Sequence, residues 1–324
     1  MSCASQAQEP GSDSSSQAIA ADEVPVARVT RPARAQAQVA TTLSRLVDAF
    51  VGSPSALGLR LRYTAVAVTD VPQTRFDADI GDDDALKGRY ESRDDSFEVF
   101  DSSIHPTTPA AGDLGDAYAT KIFMASFARL VSAGLIDPSR VRVADVVTRR
   151  VHASEGDQGG LRRTWIDEHA FFVPLTIDGI HVGTTEGEYG LHINIHRSGK
   201  LRRVALSGAA IAANEPGAVA RARTVKRAQR AIPAEAVARA KIGAADIRPL
   251  GLRYLVNENA VQSEDLIARD LLWVSPTGVG ASGEVLHGKA YIVSSAVNDA
   301  GDSVEISPPP GAFGPNPGDR VFTK

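Results

Sequence analysis

The sequence predicts an α+β protein in which helices lie across curled antiparallel sheets, and three observations predict it. The first is strict alternation: Tyr189, Leu191, Ile193 and Ile195 fall on one side, and Gly190, His192, Asn194 and His196 on the other. A strand with one buried face requires that pattern. The second is a pair of turn signals, Asp178-Gly179 and Ser198-Gly199, which punctuate long β-type runs between 163 and 207. The third is element order, because a helical stretch followed by several strand-like runs occurs three times. No repeat of the sequence itself accompanies that order.

Length and composition set the frame. At 324 residues, 43% hydrophobic and 23% charged, the chain has enough apolar content for a real core and is not of the disordered class. A net charge of -4 gives no overall pull towards nucleic acid, which is excluded as an expected partner. No apolar run approaches the roughly 20 residues that span a bilayer.

Residues 1–33 read as a disordered polar tether ending at Arg31-Pro32. A helix follows over 35–50, with Val39, Leu43, Leu46, Val47 and Phe50 on one face, and Gly52 and Pro54 stop it. The run 59–68 alternates Leu59, Leu61, Tyr63 and Ala65 against Arg60, Arg62 and Thr64. After an acidic loop, 86–91 and 97–100 form a hairpin around Arg93-Asp94-Asp95. A second helix over 115–133 carries a wide stripe including Tyr118, Ile122, Phe123, Phe127 and Leu130, with Gly134 as its cap. Residues 141–152 are a strand, joined in the sheet by the runs of 163–207. A third helix, 217–231, breaks at Pro233 and resumes to 241. Its basic side, Arg221, Arg223, Lys226, Arg227 and Arg230, reads as a solvated face. Strands over 250–256, 266–274 and 285–297 follow. These elements group into helix-plus-sheet units over 34–104, 105–214 and 215–306, with a Pro/Gly-rich tail over 307–324.

The single cysteine, Cys3, rules out an internal disulfide. A small residue before Cys3 and a polar stretch after it, as far as Ala21, resemble the cleavage site of a bacterial lipoprotein. That resemblance implies lipidation at Cys3 and an extracytoplasmic, membrane-anchored protein in the periplasm or at the cell surface. The hydrophobic signal segment that would precede such a site is absent from the sequence, which on this reading has lost it. The competing reading is an exposed thiol on a floppy tail.

A helix followed by a curled antiparallel sheet is how α+β domains of the cystatin type bury a core, so the fold expected is a tandem of cystatin-like units. The runs F-V-P-L-T-I-D-G-I-H-V-G and Y-G-L-H-I-N-I-H-R-S-G-K-L resemble the sheet of the PepSY and fungalysin/thermolysin-propeptide superfamily. The matching positions are Val173, Asp178, Gly179, Val182, Gly183, Ile193, Ile195 and Gly199, within a resemblance spanning about 113–297. His181 departs from it, standing where members carry proline or an apolar residue. The resemblance implies an extracytoplasmic location and a binding or inhibitory role. The zinc-protease signature H-E-x-x-H is absent.

No catalytic constellation stands out. His192 and His196 are four residues apart on one strand, about 13 Å, too far to share a zinc ion with ligands at about 2 Å. Their face reads as polar and solvated, with Trp165, His169 and His181 as further ligand-binding candidates. The acidic run containing Asp77, Asp79 and Asp82 is a weak calcium candidate, because the twelfth position from Asp77 is Gly88 and not Glu. Gly283–Ala290 imitates a phosphate-binding loop but ends in Ala290 and runs into a strand. No G-x-S-x-G motif occurs, and Glu168 points away from Asp167 and His169 on an alternating strand.

The expectation is therefore a non-catalytic, extracytoplasmic lipoprotein that grips a peptide, protein or small ligand on a sheet face, without a cofactor. The alternatives are a hydrolytic enzyme drawing Asp167, His169 and His192 from separate strands, and a structural assembly component.

Overall fold

The computed structural model describes residues 23–52, 58–66, 73–81, 85–104, 115–157, 160–184, 187–220, 223–226, 238–240, 243–256, 263–279, 285–287, 291–298 and 301–307. Cys3, Asp82 and the tail beyond 307 lie outside them. The protein is α+β, with its strands in curled sheets that are almost wholly antiparallel.

Two amphipathic helices and their following strands build the first sheet. Helix α1 (Gln36–Val51) buries Val39, Leu43, Leu46, Val47, Ala49 and Phe50, the stripe that its spacing predicts. Gln38 Oε1 accepts the Ala35 N–H at 2.8 Å, satisfying one orphan donor at its start. Strands β2 (Leu59–Val66), β3 (Gln73–Ile80), β4 (Leu86–Glu91) and β5 (Ser96–Asp101) follow as a meander. Helix α2 (Asp116–Ser132) buries Ala119, Phe123, Ser126, Phe127 and Leu130. It precedes β6 (Val147–Asp157), β7 (Gly160–Pro174), β8 (Thr176–Ile177), β9 (Ile180–Gly183), β10 (Gly190–His196) and β11 (Leu201–Leu206).

The first sheet runs β2-β3-β4-β5-β11-β10-β7-β6, antiparallel throughout. The β5–β11 pairing, with Val99 opposite Val204, makes one sheet of strands assigned to the first two units. Both helices lie on one face. There Phe76, Tyr90, Phe97, Val99, Phe171, Val173, Leu191, Ile193, Ile195 and Val204 are buried beneath them. Phe123 of α2 stacks on Phe171 of β7 at 4.6 Å. Arg129 of α2 donates to the Ala49 carbonyl of α1 at 2.8 Å, tying the helices together.

The second sheet gathers the remaining strands. After the short α3 (Ala209–Ala212) come β12 (Arg223–Lys226), β13 (Ala245–Leu255), β14 (Ser263–Val279), β15 (Val285–His287), β16 (Tyr291–Asn298) and β17 (Gly301–Ser307). Its order is β12-β1-β14-β13-β9-β8, where β1 is Glu23–Thr30; β15 and β16 also pair with β14, and β17 with β16. Its β9–β13 pair is parallel, a departure from the uniformly antiparallel expectation. The chain passes between sheets at Leu175, whose N–H donates to the Tyr189 carbonyl at 2.7 Å. Asp178 (φ 51) and Gly179 (φ 79) form the tight turn between β8 and β9 that the D-G dipeptide predicts. Gly190 (φ 156) is required by close approach, since a Cβ there would lie 2.2 Å from the Val173 carbonyl oxygen.

Three local expectations are corrected. The tether does not reach residue 33: Glu23–Thr30 is a central strand with Val24, Val26, Ala27 and Val29 buried, so its apolar content folds once β12 and β14 flank it. The acidic loop is in part strand β3, whose Phe76, Ala78 and Ile80 face the core while Asp77 and Asp79 face outward. The basic helix over 217–231 is not formed at Arg223–Lys226, which pairs with β1, Val225 opposite Val24. Cross-strand pairing outweighs the helix propensity of an Ala/Arg-rich run. The third unit therefore does not open with the helix its sequence predicts there.

Candidate functional site

The face of the first sheet away from the helices carries the polar residues. Its β2–β11 half is a ladder of alternating charge. Arg62 (β2) and Lys87 (β4) pair with Asp79 (β3) at 2.7 and 2.9 Å. Arg75 and Arg89 pair with Asp77 at 3.0 and 3.4 Å. Arg203 of β11 closes on Glu98 of β5 at 2.5 Å. The hydrogen bond from Lys87 and the charge of Arg62 hold the Asp79 carboxyl below the usual carboxylate range. The calcium candidates Asp77 and Asp79 are thus cation-paired, and no group of metal-holding side chains occurs among the described residues.

Beyond Arg203 the ladder gives way to a groove of about 760 Å³, within the range of ligand sites. Register explains the depression. Ala170 lies between Arg149 of β6 and Asn194 of β10, and Ala205 lies between His192 and Glu98. Two methyl side chains form a low floor between long neighbours. Phe172 and His192 pair across β7 and β10 with ring centroids 4.5 Å apart and form one flank. The segment Thr184, Gly187, Glu188 and Tyr189 closes one end, and Arg93 and Asp94 of the β4–β5 turn stand beside it.

Electrostatics differ sharply along the groove. Burial, together with the nearby Arg203 and Arg149 guanidinium groups, pushes the His192 imidazole down to about 4, so it is neutral at physiological pH. Arg149 lines the groove with a buried Nε that has no hydrogen-bond partner among the described residues. Burial pushes the Asp94 carboxyl up to about 6, overriding its hydrogen bond from Ser96. Glu188 is raised by burial but lowered further by His181 and Arg253, leaving it a net-lowered, ionised end wall.

The expected site residues do not converge. His192 faces the groove. His169 is buried on the helix side, its Nδ1 3.4 Å from Asp116 of α2. His181 lies on β9 of the second sheet, 3.5 Å from Glu188, which also accepts from Arg253. Trp165 lies on β7 with its indole N–H buried and unpartnered among the described residues. The trio Asp167, His169 and His192 is therefore split between faces.

The irregularity between Asn194 and Ile195 adds Arg202 to β11, while His196 stays in register on β10, opposite Glu168 of β7. His196 is buried, and burial holds its imidazole below the ordinary value despite Asp167. Its Nδ1 meets Ser198 Oγ at 2.8 Å and its Nε2 lies 3.7 Å from Asp167 Oδ1. Glu168 accepts from Asn194 at 2.8 Å and from Arg202, whose Nη1 also lies 3.7 Å from Asp167 Oδ2, so the two carboxylates share one cation rather than pointing apart as alternation predicts.

Sequence reasoning missed Arg149, Phe172 and Arg203. Alternation marks Arg149 on β6, Phe172 on β7 and Arg203 on β11 as positions of the outward face, but only register brings them together. A second cavity, of about 10 Å³, lies between the sheets beside Asp94 and Tyr189, with room for about one water.

No known family and no curated protein matches the chain. Among solved structures, an uncharacterized protein from Eubacterium rectale is similar over 87% of this chain and 85% of its own, at 9% identity and a TM-score of 0.51. That likeness shows the fold alone.

Proposed function

We propose that the protein is a non-catalytic, extracytoplasmic binding lipoprotein that holds its ligand in the groove on the helix-free face of the first sheet. The observation that carries this reading is the groove itself. A solvated sheet face has no need of an alanine floor flanked by a half-buried aromatic pair and a guanidinium without a carboxylate partner among the described residues. The finer architecture we propose is a tandem of two cystatin-like units, α1 with β2–β5 and α2 with β6, β7, β10 and β11, joined edge to edge. That helix-then-four-strand order, with the Asp178-Gly179 hairpin, also supports the PepSY/propeptide resemblance.

A fragment screen on the full chain, read by NMR, tests the groove. Hits are expected to shift resonances of Phe172, His192 and Asn194, and Ala205→Trp is expected to abolish them by filling the floor. Shifts scattered over the surface, indifferent to Ala205→Trp, would sink the reading. Anchoring is tested separately: labelled palmitate should enter the wild type and not Cys3→Ser.

One observation favours a second reading, hydrolysis. Ser198, His196 and Asp167 follow one another as hydroxyl, imidazole and carboxylate. The Ser198 amide also donates to His196 Nδ1 at 3.3 Å, so the contact belongs to the 196–199 turn. Loss of p-nitrophenyl acetate hydrolysis in Ser198→Ala would carry this reading, and unchanged turnover would retire it.

A further inference from the structure

We infer that the groove takes a small organic monocarboxylate, with Arg149 as the anchor of its carboxylate and the Phe172–His192 pair as the wall for its apolar body. The inference rests on the groove being the binding site and adds the ligand's class.

Charge accounts for the carboxylate. Arg203 and Arg89 share Glu98, at 2.5 and 3.8 Å, and Arg89 also meets Asp77. Glu188 is matched by Arg253. Arg149 has no carboxylate partner among the described residues, and its Nε is buried. A guanidinium nitrogen removed from water without an acceptor is costly unless something anionic completes it. The planar fork of arginine matches an oxyanion bidentately.

One cation left uncompensated among the described residues suits one negative charge. A polyphosphate would bring several into a groove already holding Glu98, Glu91 and Glu188. His192 is neutral and offers a hydrogen bond without a second charge. The rings of Phe172 and His192 stand two residues along the strands from the Asn194–Ala170–Arg149 row, on the same face. A ligand with its carboxylate on Arg149 therefore lays its body over Ala170 against those rings.

The test uses the full chain, with benzoate, benzamide and inorganic phosphate as probes, followed through the His192 ring resonances. Benzoate is expected to bind saturably and benzamide, the neutral isostere, at least about ten-fold more weakly, since a hydrogen bond to a charged group contributes enough for ten- to hundred-fold. Arg149→Gln should weaken benzoate by the same factor without changing benzamide. Arg149→Lys, which keeps the charge, should recover part of the loss and guard against a folding defect. Phosphate binding as tightly as benzoate would overturn the monocarboxylate assignment. Benzamide matching benzoate, with Arg149→Gln silent, would overturn the anchor and leave the groove standing. No saturable shift with any probe overturns the inference; if the wider fragment screen is also silent, the groove reading falls with it.

Discussion

Asp95→Asn tests what fastens the β4–β5 turn to the rest of the molecule. Asp95 accepts from Arg34 through both oxygens, at 2.5 and 2.8 Å, with side chains only 3% and 6% exposed. Its Oδ2 also accepts the Ala210 N–H at 2.8 Å at the start of α3. One carboxylate thus joins the β1–α1 linker, the β4–β5 turn and α3. Burial lowers the Arg34 pKa, but Asp95 and Glu215 together override it, so the guanidinium stays charged. Removing one partner of a buried pair costs about 3–5 kcal/mol, chiefly because the other charge is left uncompensated. Two features argue for the low end: Glu215 remains 3.0 Å from Arg34, and asparagine keeps an acceptor for Ala210. Asparagine also tolerates the left-handed conformation at this position, φ 46, so backbone strain does not confuse the result. A loss of about 3 kcal/mol corresponds to a Tm drop of about 4 °C for a chain of this size. Calorimetry at pH 7 measures it, and the double variant Arg34→Met/Asp95→Asn should recover much of the loss by removing the stranded cation. A drop under about 2 °C, or no recovery in the double variant, refutes the reasoning.

Gly190→Ala should lower Tm more than Asp95→Asn or prevent soluble expression, because its methyl would sit 2.2 Å from backbone. Gly179→Ala, at φ 79 with open space around it, should cost only about 1 kcal/mol. Phe171→Ala, which removes the ring stacked on Phe123, should cost about 3–5 kcal/mol in urea unfolding, and a loss below about 1 would contradict that packing. Two buried titrations oppose each other between pH 4 and 6. Asp94, raised from 3.8 to about 6, keeps its proton longer when folded, so its contribution falls as pH rises through that window. His192, lowered from 6.5 to about 4, does the reverse: its contribution is intact above 6.5 and is lost as pH falls. Each spans about 3 kcal/mol at roughly 1.4 per pH unit. Measured against the wild type, Asp94→Asn should therefore gain stability from pH 4 to 6, and His192→Asn from pH 6.5 down to 4. Parallel curves for wild type and both variants would show that neither group titrates as described.

Helices α1 and α2 and strand β10 were legible because each carries its own signal. The stripe of α1 and the run Tyr189, Leu191, Ile193, Ile195 mark a buried face whatever the partner. Elements that depend on distant partners were not legible. Arg223–Lys226 has the composition of a helix and becomes a strand because Glu23–Thr30, some two hundred residues earlier, lies beside it. In β3, the aspartates that gave it the look of a loop conceal an alternation in Phe76, Ala78 and Ile80. Such carboxylates tolerate a strand because Arg62, Arg75, Lys87 and Arg89 on that strand and its neighbours meet them. The histidines were chosen for their chemistry, yet His169 meets Asp116, His181 meets Glu188, His192 packs on Phe172 and His196 meets Ser198, four separate surroundings.

The groove shows why register matters more than composition for locating a site here. Arg149, Ala170, Asn194 and Arg203 come from four strands and form one row only when β6, β7, β10 and β11 pair as they do. A slip of one residue in β6 would turn Arg149 to the helix side and expose its neighbours instead. Across the other half of the sheet the same pairing sets each carboxylate against a cation, and solvent or salt can replace either partner at little cost. At Arg149 the alternation of charge stops, just where Ala170 and Ala205 lower the floor. Among the described residues, a cation without a carboxylate partner and missing side-chain volume occur at one place, and the carboxylate ligand with an apolar body proposed above would complete both.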